Sequence, residues 1–257
     1  MISQTLDMNN DLLDKLKQNH YSRRIKSHFY SYGTKYDFSR FFLVGNEIEY
    51  LGIISVFNSS MMISTFTNKT FEENILSEIA HFILINKPSI VEFECCYAEY
   101  LKAELTDEYK SEIRTEFEFV SKNTLPDLNV DELPKLDDVF NVLKTSFPAI
   151  SDSYDLWLTD TSHRIRHGLA QSFLLGNYTT ATIQYIIDGT ALIGHVATMP
   201  EERGKFHARR LLYWIGERLT LDGFAVKLQA RPHRVSYYEE IGFKANSTDI
   251  VLERIVD

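Results

Sequence analysis

Apolar residues in the first half of the chain occur in two patterns, as short continuous runs and at helical spacing. The runs FFLV and YLGIISVF flank the Gly45-Asn46 pair and are typical of two strands joined by a tight turn. In EENILSEIAHFILI the isoleucines recur at helical spacing, and Pro88 follows the end of this segment. The other elements that we expect in this half are a helix around residues 11–17, the strand SIVEFEC, the helix AEYLKAEL and the strand EFEFV.

The second half of the chain shows the same two patterns of apolar residues. LDDVFNVLKTSF has the pattern of an amphipathic helix, and residues 154–166 predict a second helix. Gly176-Asn177 and Asp188-Gly189 separate β-type runs, which indicates two successive hairpins. The remaining expected elements are a helix from about Lys205 to Leu221, the strand VKLQA, a short helix in SYYEEI and the final strand STDIVLERI.

A proline-containing stretch separates the two halves. SKNTLPDLNVDELPKL has few helix-compatible repeats, so we predict a linker over residues 121–135. It divides an N-terminal lobe, 1–120, from a C-terminal domain, 136–257. Both halves mix antiparallel hairpins with helices, which predicts an α/β or α+β fold and is compatible with two related lobes.

Composition narrows the possible partners. The chain has 257 residues, 44% of them hydrophobic, which is enough for one large domain or two small ones. Its net charge of −9 argues against binding to nucleic acid or to an acidic membrane. There is no secretory signal pattern and no run of about 18 apolar residues. Cys95 and Cys96 are adjacent and have no metal-type spacing, so we expect a soluble protein in a reducing cytoplasm.

One stretch, VATMPEERGKFHARRLLYW, combines a strand, a glycine-containing turn and a basic helix start. The first turn of a helix presents unpaired N–H groups that favour an anion, and Arg203, Lys205 and Arg209 add positive charge there. The arrangement suits a pyrophosphate, although it matches neither a Walker A loop nor a dinucleotide fingerprint. A solvated surface helix is the alternative interpretation.

Two motifs in this region resemble those of a known family. RGKFHA resembles motif A of the GNAT N-acetyltransferase superfamily, Arg/Gln-x-x-Gly-x-Gly/Ala, and it is preceded by VAT and MPEE. SYYEEIGF resembles the second signature of the family, with the β-type VKLQA in between. The resemblance covers roughly residues 136–257 and is similar to the FR47-like branch. It implies a mixed, mostly antiparallel sheet flanked by helices.

The resemblance also implies a reaction. Relatives transfer an acetyl group from acetyl-CoA, a co-substrate, to a primary amine of a small molecule or peptide by direct attack, without a metal. Backbone groups of Val196, Ala197 and Thr198 would pair with the pantetheine arm, and one N–H would polarise the thioester carbonyl. Tyr238 would protonate the leaving thiolate. The residues expected around the pyrophosphate are Arg203, Gly204, Lys205, Phe206, His207, Ala208 and Arg209.

Some positions depart from the family pattern or admit two interpretations. Phe206 stands where the family usually has the middle glycine, so its side chain must turn away from the site or narrow it. His195 is a candidate general base, because histidine titrates near neutral pH, or a core histidine. Tyr237 competes with Tyr238, although adjacent helical residues point about 100° apart.

Other candidate residues carry weaker signals. His163 and His167 have the i, i+4 spacing of metal ligands, but no metallohydrolase signature surrounds them, so we expect an exposed helix face. Arg231, His233 and Arg234 fit either a cleft lining or a solvated loop.

No motif A is visible in residues 1–120, so we expect a single cofactor site. The alternative to an acetyltransferase is a non-catalytic GNAT-like module that senses CoA or mediates an interaction, with Phe206 as the reason that chemistry was lost.

Overall fold

The computed structural model describes residues 1–46 and 48–255. The chain divides into two compact units: unit 1 comprises Met1–Arg114 with Thr248–Asp257, and unit 2 comprises Thr115–Ser247. The boundaries expected from the sequence lay at residues 120 and 136 and assigned the whole C-terminus to the second half. Within the described residues, no helix is long and apolar enough to cross a membrane.

Unit 1 is built on a mostly antiparallel sheet. Strands β1 to β4 pair antiparallel in sequence order, β5 runs parallel to β4, and α3 forms the crossover between them. The elements of unit 1 are β1 (Ile2–Thr5), α1 (Asn10–Leu13), α2 (His20–Tyr32), β2 (Ser39–Gly45), β3 (Tyr50–Phe57), β4 (Ser60–Thr65), α3 (Glu73–Asn86), β5 (Ile90–Phe93) and α4 (Ala98–Leu105).

Successive side chains of these strands point to opposite faces of the sheet, and helices cover both faces in unit 1. Phe42 and Val44 join a buried cluster with α3 and α4. Phe41 and Leu43, one residue out of phase with them, join a second cluster with α1 and α2. The sheet is therefore apolar on both faces, which explains why its strands read as continuous apolar runs rather than as alternating ones.

Unit 2 repeats this order of elements, with one additional short helix before its second strand. Strands β7 to β10 pair antiparallel in sequence order, β11 runs parallel to β10, and α8 forms the crossover. The elements of unit 2 are β7 (Val130–Asp131), α5 (Leu136–Leu143), α6 (Pro148–Ser151), α7 (Tyr154–Arg166), β8 (Gln171–Leu175), β9 (Thr179–Ile187), β10 (Thr190–Thr198), α8 (His207–Leu221), β11 (Ala225–Ala230) and α9 (Val235–Glu239). This shared order confirms the expectation of two related lobes.

Two long strands pass from one unit into the other. They are β6 (Tyr109–Phe119), which follows α4, and β12 (Phe243–Arg254), which follows α9. The end of β6 pairs antiparallel with β11 in unit 2, and the end of β12 pairs antiparallel with β5 in unit 1. The strand that pairs with β11 in unit 2 is thus the end of β6, which comes from unit 1. The strand that pairs with β5 in unit 1 is the end of β12, which comes from unit 2.

The helices of unit 2 also lie on both faces of its sheet. Leu211, Leu212 and Ile215 of α8 pack on Phe173, Ile183 and their neighbours. Residues of α5 and α7 pack with Leu174 and Ala197 on the opposite face. The α8 face and the α5 face are therefore distinct sides of the same sheet.

Several predicted elements need correction. The helix expected around residues 11–17 ends at Leu13, because Leu16 pairs with Phe66 in an isolated bridge instead. The helix α2 was not predicted, nor was the strand β4. The predicted linker contains the short strand β7. By contrast, the helices α4, α5 and α7 and the hairpins at residues 176–177 and 188–189 are confirmed.

Candidate functional site

Strand β10 contains a bulge close to its end. Gly194 pairs with Thr182 and Ala197 with Thr180, so His195 and Val196 together face a single residue of β9. His195 has a φ of +47°, a conformation that costs a non-glycine residue about 1–3 kcal/mol. A bulge leaves the backbone groups of the extra residue out of the ladder. The bulge thus lies where the sequence predicted backbone contacts to pantetheine.

The chain then turns tightly into α8. A short 3-10 turn over Pro200–Glu202 is followed by Gly204, with φ of +81°, and by Phe206, with φ of +61°. Phe206 is the N-cap residue of α8 and makes no side-chain cap hydrogen bond. The first N–H groups of α8 therefore have no capping side chain, and they carry the positive end of a helix of four turns.

A pocket of about 340 Å³ opens at this helix start. That volume falls within the range of small-molecule sites. Seven of the ten predicted cofactor residues line the pocket; the three that do not are Val196, Ala197 and Lys205. The lining residues are Thr198, Glu202, Arg203, Gly204, Phe206, His207, Ala208, Arg209, Arg234 and Tyr237. Glu202, Arg234 and Tyr237 were not among the predicted cofactor residues.

The Phe206 side chain points away from the protein. It is 65% exposed, and the Arg209 guanidinium carbon lies 5.5 Å from its ring centre. The same carbon lies 5.2 Å from the ring centre of Tyr237, and Arg209 forms an ion pair with Glu240. Phe206 therefore forms part of the rim of the pocket and does not fill it.

The other basic residues of the loop also have partners within the protein. Glu202 accepts a 2.9 Å salt bridge from Lys205, and its carboxylate lies 3.2 Å from His207 Nε2. The hydrogen bond from Lys205 and the charges of Lys205 and His207 hold the pKa of Glu202 below its usual value, against the effect of desolvation. An acidic side chain thus neutralises part of the positive charge beside the helix start.

Arg203 has a bracing role in this structure. Its Nε donates to the Thr198 carbonyl at 3.1 Å, and its Nη2 donates to Ser146 Oγ at 3.1 Å and to the Thr145 carbonyl at 3.4 Å. These bonds tie the glycine-containing turn to the end of β10 and to the connection between α5 and α6. The guanidinium therefore positions the loop.

The two tyrosines of α9 have different surroundings. Tyr237 lines the pocket, whereas Tyr238 packs on Phe117 and Phe243 with ring centres 5.5 and 6.1 Å away. Burial raises the pKa of Tyr238, so its hydroxyl stays protonated at neutral pH. Among the described residues, that hydroxyl has no hydrogen-bond partner, so its proton is free to be donated.

His195 lies in the bulge itself. Its ring is half-buried and packs edge-on against Phe147, with ring centres 5.6 Å apart. It does not line the pocket at the α8 start. Its φ of +47° is part of the backbone conformation of the bulge, so His195 contributes to the strand geometry through its backbone.

The remaining candidates lie elsewhere. His163 and His167 stack with ring centres 4.4 Å apart at the end of α7, and across residues 1–46 and 48–255 no group of three or more potential metal ligands occurs. Arg231 and His233 are exposed in a short turn before α9. Cys95 and Cys96 are both free and exposed.

The corresponding place in unit 1 is built differently. Glu94, just after β5, accepts hydrogen bonds from the Thr65 N–H and the Thr65 hydroxyl, each at 2.8 Å, and from Lys17 at 2.7 Å. Its carboxylate therefore joins the ends of the two parallel strands β4 and β5. The helix that connects these two strands, α3, begins with Glu72 and Glu73, whose negative charge disfavours an anion.

Comparison with solved structures identifies this architecture. A GNAT-family acetyltransferase from Colwellia psychrerythraea is similar over 100% of both chains, with a TM-score of 0.61 at 11% identity. A tandem GNAT protein from the clavulanic acid biosynthesis pathway matches 100% of this chain and 99% of its own, with a TM-score of 0.63 at 8% identity. This chain has the GNAT fold.

A third GNAT structure agrees with this result. The GCN5-related N-acetyltransferase from Sphaerobacter thermophilus covers 92% of this chain and 86% of its own, with a TM-score of 0.63 at 14% identity. No family model matches the chain, and no curated protein sequence does. The similarity therefore lies in the arrangement of the GNAT elements, and the two GNAT-like units account for the full-length match to a tandem GNAT protein.

Proposed function

We propose that unit 2 transfers the acetyl group of acetyl-CoA to a primary amine. The observation that carries the proposal is the succession of a bulge in β10, a turn through Gly204 and an uncapped α8 start that lines a pocket of about 340 Å³. A bulged strand exposes backbone donors for an amide-containing arm and a carbonyl, and a helix start attracts a phosphate.

The residues at the helix start fit a pyrophosphate group. A Cβ added at Gly204 would meet nothing within 4 Å, so the turn leaves open space beside it. His207 Nδ1 is buried without a hydrogen-bond partner among the described residues. Arg209 and Arg234 supply positive charge on the pocket wall. Acetyl-CoA as substrate supplies an acetyl group activated as a thioester.

The roles of the protein groups follow from their positions. The backbone N–H groups from Val196 to Thr198 orient the thioester carbonyl and stabilise the negative charge that develops on its oxygen. Tyr238 holds its proton at Oη and donates it to the departing sulfur. His195, on the bulge, is the candidate group that accepts the proton of the incoming amine.

Unit 1 has features that oppose a second site of this kind. The Glu94 carboxylate already takes the Thr65 N–H at the end of β4, and acids begin α3. Both features support a stoichiometry of one acetyl-CoA per chain.

Calorimetry with acetyl-CoA tests the proposal, with Arg209→Gln and Arg210→Gln as a matched pair. Both substitutions remove one positive charge from α8, but only Arg209 lines the pocket at the helix start. We expect Arg209→Gln to weaken binding about 10-fold, because charge-assisted hydrogen bonds to phosphate are strong, and Arg210→Gln to change it by less than about 2-fold. Absence of binding to the wild-type chain at about 1 mM acetyl-CoA would refute the proposal.

A screen for thiol release across small amines, polyamines, amino acids and peptide N-termini then tests catalysis. The second candidate function is a module that binds CoA without transferring the acetyl group. It is favoured by the non-glycine residue Phe206 at the N-cap, where the family motif usually has glycine. Binding of acetyl-CoA with no amine acetylated in the screen would select this second function.

A further inference from the structure

A set of neutral polar side chains lies beside the bulge, on the sheet of unit 2. Ser172 on β8 pairs with Thr182 on β9, and Thr182 pairs with Gly194 on β10. Gln184, two residues along β9, completes the set. We refer to Ser172, Thr182 and Gln184 as the polar row.

Strand alternation puts the polar row on the side of the sheet away from α8. Phe173 and Ile183, which directly follow Ser172 and Thr182, pack in the cluster formed with α8. Successive side chains of a strand point to opposite faces. Ser172 and Thr182 therefore face the side that carries α5 and α7, opposite to the start of α8.

The two hydroxyls of the row are buried without partners. Ser172 is 2% exposed and Thr182 is 5% exposed, and neither Ser172 Oγ nor Thr182 Oγ1 has a hydrogen-bond partner among the described residues. Thr180, on the same strand and face, differs, because its hydroxyl donates to the Phe173 carbonyl at 2.7 Å. A buried hydroxyl without a partner costs free energy, so a bound polar group that hydrogen-bonds to it would be stabilised at this place.

Gln184 gives the row an accessible end. A Cβ added at Gly194 would lie 2.3 Å from Gln184 Nε2, so the glutamine side chain crosses the space that Gly194 leaves open. Gln184 is half-buried, and its amide has no hydrogen-bond partner in residues 1–46 and 48–255. The row thus combines two buried hydroxyls with an amide that reaches solvent.

The row is adjacent to the proposed reaction centre. Thr182 lies directly across from Gly194, the residue before His195 in the bulge. Neighbouring strands are about 4.8 Å apart, so Thr182 is one strand away from the bulge and Ser172 two strands away. A molecule bound against the row approaches β10 from the face opposite to the α8 start.

We infer that the polar row is the acceptor subsite and binds a neutral hydrogen-bonding group, a hydroxyl or an amide, carried by the amine substrate. The inference rests on the proposed acetyl transfer. Hydroxyl and amide side chains both donate and accept, so they complement a group that does the same. An alkylamine in the same position would leave the row unpaired, and sites built for hydrogen bonds discriminate strongly against such analogues.

Kinetics with matched amines tests the inference. The pairs are 2-aminoethanol with propylamine, 3-aminopropanol with butylamine, and glycinamide with isobutylamine. We expect the wild-type chain to prefer the polar member of at least one pair in kcat/KM by about 10-fold or more. Thr182→Val and Ser172→Ala should each reduce that preference about 10-fold, because each removes a hydrogen-bonding group that only the polar amine uses.

Thermal denaturation without ligand is a second readout, which does not depend on turnover. Thr182→Val removes an unpartnered hydroxyl at nearly constant shape, so we expect its Tm to rise. Thr180→Val removes a hydroxyl together with its 2.7 Å hydrogen bond to the Phe173 carbonyl, so we expect its Tm to fall.

The outcomes separate the inference from the proposed function. If acetyl-CoA binds and amines are acetylated but the preference is the same in wild type and Thr182→Val, the inference is overturned and the proposed function stands. A fall of Tm in Thr182→Val as large as in Thr180→Val also overturns the inference. If acetyl-CoA does not bind at all, the proposed function fails first.

Discussion

Phe206 shows at the residue scale how a departure from a motif is accommodated. It adopts a left-handed conformation with φ of +61° while its ring remains 65% exposed. We expect Phe206→Gly to stabilise the chain by about 1 kcal/mol, because glycine adopts this conformation without strain. Phe206→Ala keeps the strain and is the control. Thermal denaturation should rank the glycine variant above the alanine variant, and the opposite order would contradict the interpretation.

Glu202 governs the charge that the pocket offers to an anion. Its carboxylate holds Lys205 at 2.9 Å and lies 3.2 Å from His207 Nε2. Because the pKa of Glu202 is lowered, the group stays charged at neutral pH and competes with a phosphate. We expect Glu202→Gln to bind acetyl-CoA about 2- to 5-fold more tightly, the scale of exposed ion pairs.

Glu201 provides a matched control for Glu202. It is an exposed neighbour that loses the same charge when changed to glutamine, and it does not line the pocket. Calorimetry at low and high salt should show a gain for Glu202→Gln that shrinks as the salt concentration rises, because salt screens exposed charges. An equal gain in Glu201→Gln would indicate a general effect of net charge.

Tyr238 and Tyr237 can be separated by removing one hydroxyl at a time. Both rings are retained in the phenylalanine variants. We expect Tyr238→Phe to lower kcat about 100-fold, the scale of general acid catalysis, and Tyr237→Phe to change mainly the KM for acetyl-CoA, because only Tyr237 lines the pocket. A loss of kcat in Tyr237→Phe alone would reassign the acid.

At the scale of elements, α8 must pack closely on the strand that unit 2 receives. A Cβ on Gly216 would lie 2.6 Å from the Phe119 ring of β6. Alanine improves helix propensity over glycine by about 1 kcal/mol, but overpacking of this kind costs about 1–3 kcal/mol. We therefore expect Gly216→Ala to destabilise unit 2 by about 1 kcal/mol in urea denaturation. Adding Phe119→Leu should restore stability, and a stabilised single variant would refute the close contact.

The elements also show what the sequence could predict. The helices α5 and α7 carry apolar faces, so periodicity located them. The helix α2 buries His20, Lys26 and His28 together with Tyr21 and Ile25, so polar residues interrupt its buried face and weaken the periodic signal. Its Asn19 and Ser22 form a capping box, which was the available signal. The outward Phe206 ring, and the pocket-lining Tyr237 beside the core-packed Tyr238, depend on tertiary packing, which motif spacing does not encode.

The whole molecule repeats one order of elements, with the short helix α6 added in the second unit, and each unit is completed by a strand that leaves the other unit. Strand pairing over long sequence separation has no local signature, so the sequence predicted a boundary at residue 120 where the chain passes between units inside β6. The proposed division of labour follows the local sequence instead. Unit 2 has the glycine turn before α8, whereas unit 1 has Glu94 across the strand ends and acidic residues at the start of α3.

The strand exchange predicts how truncation will act. A chain that ends at Ser247 lacks the part of β12 that pairs with β5 and loses the buried residues Val251 and Leu252 from unit 1. Burial of two such side chains is worth about 3–6 kcal/mol, which is a large part of the stability of a typical domain. We expect unit 1 to lose most of its structure in this variant. The isolated fragment 1–120 should fail to fold for the same reason.

Hydrogen exchange resolves this outcome, because both tryptophans, Trp157 and Trp214, lie in unit 2 and fluorescence therefore does not report on unit 1. Amides of β4 and β5 should exchange quickly in the chain ending at Ser247 and slowly in a control chain ending at Ile255, which keeps all of β12. Slow exchange in β5 after truncation at Ser247 would mean that unit 1 is complete without the exchanged strand, as the boundary at residue 120 assumed.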